Sequence, residues 1–294
     1  MKKKNTSAAA PARRGQFASI CYRFSRNKMA MLGLILFLIV LFFAIAAPAF
    51  ADYENEAIKQ NVYEKFAPPS REHLLGMDAY GRDLFARIIF GARLSLVISL
   101  TTVGASMVLG CLIGSLCAYY GGWLDAITMR IVDIFLALPM TLMAVTVVAA
   151  LGTSTTNLII ALTISMIPPF VRIVRSAVLQ VKGSDYIEAA VAYGSKDMRI
   201  ILTHVLPNAI GPIIVQATLN LASVLLSVAA LGFIGLGVPS PQPEWGTMLA
   251  ESKAQMRYHP WQVIIPGVAV AITVLSINLI GDGLRDALDP KLKN

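Results

Sequence analysis

The chain has 294 residues, 56% of them hydrophobic and only 14% charged, with a mean hydropathy of +0.66 and a formal net charge of +8. A soluble domain carries about 25% charged residues, so this composition excludes an ordinary soluble protein and indicates a polytopic membrane protein. Nor does the positive charge point to nucleic acid: eight Lys/Arg and no acid crowd into residues 1–28, where they read as a basic cytoplasmic flank ahead of the first apolar run.

Crossing the hydrocarbon core takes about 20 apolar residues. Residues 29–51 carry no charge over 23 positions and form the first predicted transmembrane helix. Its end, Ala49-Phe50-Ala51, has the small-x-small pattern of a signal-peptidase site. The basic region and the apolar run are both too long for a cleaved signal, so an uncleaved span is expected. Residues 52–93 follow as an extracytoplasmic loop with six basic and seven acidic side chains. Within it, Gly81–Arg93 repeats Leu84, Phe85, Ile88 and Ile89 at helical spacing, which predicts an amphipathic helix lying on the membrane surface.

Residues 94–284 are read as a core of five further spans. The second, Leu94–Leu124, is uncharged over 31 residues and carries Gly110 and Gly114, a pattern permitting close helix packing. The third runs from Asp125 to Leu151, with Arg130 and Asp133 three apart near its inner end, read as a structural ion pair in preference to a substrate contact. The fourth is Leu158–Arg175, after the turn 152–157. The fifth, about Ile210–Gly237, ends among Gly232, Gly235, Gly237 and a proline cluster, read as packing or as a hinge. The sixth is Trp261–Gly281, and Trp245 and Trp261 flank the outer loop before it as interfacial anchors would. Asp282, Arg285 and Asp289 form a ladder at its end, and residues 285–294 are the C-terminal flank. Six spans put both termini on one side. With the N-terminus inside, the inside segments hold seventeen Lys/Arg and the outside segments eight, so the topology is N-in/C-in.

The segment "EAAVAYGSKDMRIILTHVLPN", Glu188 to Asn208, is short, mixed in charge and broken at a glycine. It sits in a predicted cytoplasmic loop at about 176–209. Asp185 and Glu188 have capping-box spacing, Gly194 supplies a left-handed stop, Ser195 caps a second helix through Val205, and Pro207 marks where that helix stops or bends. Ala189 and Ala190 leave a low surface that another backbone could approach. The residues alone leave two readings, a solvated hairpin and a docking element.

Glu188-Ala189-Ala190, Gly194 six residues after the glutamate, and Leu206-Pro207 resemble the EAA loop of ABC importer permeases, with His204 where that pattern often has isoleucine. "HLLGMDAYGRDLFARIIFGARLSL", "RIVDIFLALP", "ALGFIGLGVPSPQPEWGTML" and "GDGLRDALDPKL" are similar, in order, to the C-type permeases of dipeptide, oligopeptide and nickel importers. The resemblance covers about Arg26 to the C-terminus. It implies an all-α polytopic membrane protein with a type I importer permease core, seated in the bacterial inner membrane. It also implies that Glu188, Ala189, Ala190 and Gly194 contact an ATPase, with Leu206 and Pro207 fixing the exit of the loop. The implied partners are a second homologous permease, two ATP-binding subunits, an extracytoplasmic substrate-binding protein and the lipid bilayer. No cofactor is expected on this chain. It contains no Gly-Lys dipeptide and hence no phosphate loop, so ATP and Mg belong to the partners.

Two other classes compete. An ion-coupled secondary transporter would be expected to hold acids near mid-membrane, and the middles of these spans carry none. An intramembrane enzyme is disfavoured because His73, His204 and His259 lie apart from any nucleophile, metal-ligand set or paired acid. Cys21, Cys111 and Cys117 have neither metal-type spacing nor a disulfide framework.

Overall fold

A computed structural model describes residues 16–288, and among these no strand is present. The basic flank before residue 16 and Asp289 of the C-terminal ladder lie outside the described residues. Helix α1 (Gln16–Arg26) was not expected from the sequence, which there showed only its charge. After a break at Asn27, α2 (Lys28–Phe50) begins, with the Asn27 side chain accepting hydrogen bonds from the amides of Met29 and Ala30. Its apolar side chains point in all directions, and Ile35, Leu38, Phe42 and Ile45 are exposed. Such a face suits lipid.

The predicted surface helix at 81–93 does not exist as a separate element, because its residues open α3 (Leu84–Tyr120), 37 residues and about 55 Å of continuous helix. Asp83 caps it, accepting from the amide of Ala86 at 2.9 Å. Leu84, Ala86, Ile89 and Phe90 are buried, so the apolar repeat packs on protein rather than on a membrane surface. The span predicted for 125–151 is broken. Helices α4 (Gly122–Leu136) and α5 (Met140–Leu151) meet at 88° around Pro139, whose ring and missing N–H disfavour a continuous helix.

Helix α6 (Thr155–Lys182) packs along α3. A Cβ on Gly110 would fall 2.4 Å from that of Phe170, and one on Gly114 would fall 2.7 Å from the Val171 carbonyl, so the glycine pair sets a close approach. Beyond α6 come two short helices, α7 (Asp185–Ala192) and α8 (Asp197–Ile200), then one wide π-type turn at Ile201–Val205. Helix α9 (Leu206–Phe233) continues from that turn. Pro207 therefore neither stops nor sharply bends the chain. The wide turn takes up its missing donor: Leu206 N–H bonds back to Ile201, and the Asn208 amide side chain donates to the His204 carbonyl at 2.6 Å.

Helix α9 ends in a Schellman cap at Gly235, and a short α10 (Trp245–Ser252) then folds against it. The last helix, α11 (Trp261–Leu288), crosses back beside α2 and α9. Gly33 allows the α2 contact, since a Cβ there would lie 2.6 Å from Leu279. The central core joins α3, α5, α6 and α9 through Ile98, Val148, Leu162, Phe170, Val224 and Val228. Among the described residues five helices are long and apolar enough to cross a membrane, or six spans if the bent α4–α5 pair is counted as one.

Candidate functional site

The segment singled out in the sequence forms a distinct unit at one end of the bundle. Ile187, 3% exposed, anchors α7 against Ala118, Val174, Val178, Ile200 and Ala209. Ser184 occupies the position before the helix and makes no side-chain cap bond, so Asp185 is the first helical residue rather than the cap. Gly194 adopts φ +72°, and the amides of Gly194 and Ser195 bond to the carbonyls of Val191 and Ala190 at 2.9 and 3.2 Å. This pair is a Schellman cap. Nothing lies within 4 Å of a Cβ at Gly194, so backbone conformation alone accounts for the glycine. Ser195 contributes its backbone to that cap and does not start the next helix, which begins at Asp197.

Glu188 and Ala189 are exposed and Ala190 is half-buried. Tyr186, Ala189 and Tyr193 share one face of the turn, and Tyr193 is 91% exposed. This face and the exposed Glu188 carboxylate stand side by side on a base anchored by Ile187. Leu206 packs into the base of this unit, while Pro207 is exposed.

One polar tie fixes the unit to the bundle, and others join the helix ends beside it. The Tyr119 hydroxyl, at the end of α3, donates to Asp197 Oδ1 at 2.9 Å. Lys182 Nζ donates to the Tyr119 carbonyl at 2.5 Å. Arg175 of α6 grips Asp125 of α4 with two bonds of 2.5 and 2.6 Å. The expected Arg130–Asp133 pair is not formed. Asp133 bonds instead to Arg172 of α6, and Arg130 is exposed. Spacing within one helix suggested the wrong partner because the competing cation comes from a neighbouring helix.

The opposite end holds features that the sequence did not reveal. Arg82 and Arg87 are fully buried and share Glu251 of α10, at 2.5 and 3.0 Å. Arg82 also meets Asp78 at 2.6 Å, and Arg87 donates to the carbonyls of Ala57 and Pro241. The i, i+4 spacing of Asp78 and Arg82 was legible. Glu251, 164 residues from Arg87, was not.

Glu244 is buried and caps α10, its carboxylate accepting from the amides of Gly246 and Thr247 and from the Ser95 hydroxyl. Burial holds its carboxyl above the ordinary carboxylate range despite these donors. Trp245 is no interfacial anchor: it is 1% exposed, and its indole N–H donates to the Ile88 carbonyl at 3.1 Å. Gly232 and Gly237 are closely packed here, whereas Gly235 is a left-handed cap with open space around it.

Residues 106–294 match the family described as binding-protein-dependent transport system inner membrane component, and residues 15–69 match the N-terminal TM domain of oligopeptide transport permease C. The dipeptide transport system permease protein DppC of Alkalihalophilus pseudofirmus is 45% identical over 269 residues, which is 92% of this chain and 88% of that one. The di/tripeptide transport system permease protein DppC of Pseudomonas aeruginosa is 45% identical over 92% of this chain and 91% of its own length. A glutathione transport system permease protein, GsiD of Escherichia coli, is 42% identical over 92% and 89%. Among solved structures, a chain of the inward-facing MetNI methionine ABC transporter superposes with a TM-score of 0.57 at 22% identity. The match covers 69% of this chain and 96% of that one, a likeness of fold. Taken with the five long apolar helices and one bent helix pair among the described residues, these matches establish that the chain belongs to the binding-protein-dependent transport system inner membrane component family, a multi-pass transport subunit rather than an enzyme.

Proposed function

We propose that this chain is one of two permease subunits of an ATP-driven importer for short peptides, and that residues Glu188–Gly194 couple it to an ATPase. The observation that carries this reading is the α7 unit: an exposed Tyr186/Ala189/Tyr193 face beside Glu188, braced by buried Ile187 and by the Gly194 cap. Family membership supports the class, and the names of the related permeases support peptides as substrates. In this reading the α7 end faces the cytoplasm and the α10 end faces the exterior, as the Lys/Arg distribution favours. The second permease packs against exposed bundle helices, two ATPases bind ATP and Mg, and a separate binding protein delivers solute to the α10 end.

Mechanically, ATP-driven closure of the ATPases would displace α7. Tyr119–Asp197 and Lys182–Tyr119 would pass that displacement to α3 and α6. A packed bundle responds to such a push by switching between discrete arrangements rather than by bending continuously. Glu188→Lys is expected to leave membrane abundance unchanged and to lower ATP-driven peptide uptake at least about tenfold, the effect of losing roughly 1.4 kcal/mol of contact. Normal uptake by that variant would sink the coupling role. Mild-detergent purification followed by mass spectrometry tests the assembly. Recovery of a second permease with ATPases supports it, and a chain recovered alone with ion-driven uptake would replace it with the secondary-transporter reading.

A further inference from the structure

The α9 helix carries a polar stripe that no role described so far explains. Gln216, Asn220, Ser223 and Ser227 recur at intervals of four, three and four residues, so they line one side of the helix. They lie within a 28-residue helix that has no charged residue at all. The Gln216 side-chain N–H donates to Asn220 Oδ1 at 2.9 Å. Asn220 is only 7% exposed, yet its own Nδ2 is buried without a partner among the described residues. Burying an amide donor without a bond costs about 1–3 kcal/mol, so an orphan of this kind calls for an occupant.

The position of the stripe indicates where that occupant lies. On one side of it, Ala217, Leu221, Val224 and Val228 pack into the core with α3, α5 and α6. On the other, Pro212, Leu226 and Ala230 are exposed, and Ser223 of the stripe is exposed with them. The stripe thus runs along the border between the packed and the uncovered faces of α9. The uncovered part of α2, by contrast, shows only apolar side chains such as Leu38, Phe42 and Ile45. The Ser223 hydroxyl bonds back to the Leu219 carbonyl of its own helix at 3.5 Å, but a lipid-facing surface has no use for two side-chain amides, which would be costly there.

We infer that the Gln216–Asn220–Ser223 edge of α9 forms a water-lined wall of the solute path and exchanges hydrogen bonds with the backbone amides of short peptides. This rests on the permease reading above. The chemistry fits the class: neutral amides donate and accept, match a peptide group irrespective of its side chains, and hold no fixed charge that would trap a charged peptide or repel one. The wall therefore recognises what all peptides share, and discrimination among side chains is left to other parts of the assembly.

Two measurements on the assembled complex test this. In a version lacking the three native cysteines, Ser223→Cys should react with a charged, membrane-impermeant thiol reagent, while Leu38→Cys on α2 should not. Failure of Ser223→Cys to react in a complex that imports would place the stripe against lipid or another chain and overturn the inference. Second, uptake of three dipeptides differing only in side-chain charge is compared between wild type and Gln216→Leu/Asn220→Leu. All three rates should fall together by about tenfold, as for loss of one or two hydrogen bonds, with Asn220→Ser intermediate at equal complex abundance. Equal uptake by variant and wild type, or loss confined to one charge class, would overturn it. If the wild type imports none of the three, the peptide reading fails instead, and the thiol reaction still decides whether the wall is wet.

Discussion

Arg87 and Glu244 show how single side chains acquire their meaning from partners far away in sequence. Arg87 has no exposed surface and meets Glu251, Asp78 and two carbonyls. Removing one member of such a buried set strands the others, at a cost of about 3–5 kcal/mol. Arg87→Met should therefore lower the melting temperature of the purified chain sharply, whereas Arg87→Met combined with Glu251→Met should be milder than the sum of the two single changes, because the partners vanish together. Glu244 gives a prediction with a defined sign. Its carboxyl titrates near 4.5 when unfolded and higher when folded, because burial disfavours the charge. As pH rises above about 4.5 the unfolded chain loses this proton first, so the folded state loses stability until the folded group has also titrated. Melting curves between acid and neutral pH should show wild type falling relative to Glu244→Gln. An unchanged difference would refute the shift.

At the scale of elements, helix contacts are set by where side chains are missing. Gly110 and Gly114 let α3 lie against α6, and any Cβ on Gly110 would collide with Phe170. Gly104, on the same helix, has nothing within 4 Å of such a Cβ. Gly110→Ala is expected to lower thermal stability and yield. Gly104→Ala should be neutral or stabilising by about 0.5–1 kcal/mol, since alanine suits a helix better. Similar losses from both changes would mean that propensity, not packing, governs this interface. The glycine pair was legible as a packing signal because four-residue spacing puts both on one face. Its partner helix was not legible. The predicted surface helix at 81–93 failed for a related reason: amphipathic spacing shows that one face is covered, and does not say whether lipid or protein covers it.

For the molecule as a whole, α3 is the element that reaches both ends. It starts beside the Arg82/Arg87/Glu251 cluster and finishes at Tyr119, bonded to Asp197 of the α7–α8 unit. The slowest hydrogen exchange should map to α3, α6 and the central part of α9, which share the core, and the fastest to α7, α8 and the exposed residues around Tyr193. Exchange as slow in α7 as in α6 would show the unit to be part of the rigid bundle, and its role as a movable lever would fall.

Hydropathy, a property of the chain alone, determined the polytopic class and most of the long apolar helices, and local residue choice marked the short polar segment with its left-handed Gly194. These are local quantities: the length of an uncharged run and the need for φ > 0 after α7. The tertiary structure decided the rest. It gave Asp133 to Arg172 instead of Arg130, buried Trp245, extended α3 through the supposed surface segment, and left Asn220 with an unpaired amide at the edge of an open face. Each of these depends on which groups from distant parts of the chain come within a few ångströms. Hydrogen bonds and ion pairs act only at that range, so periodicity along the sequence cannot report them.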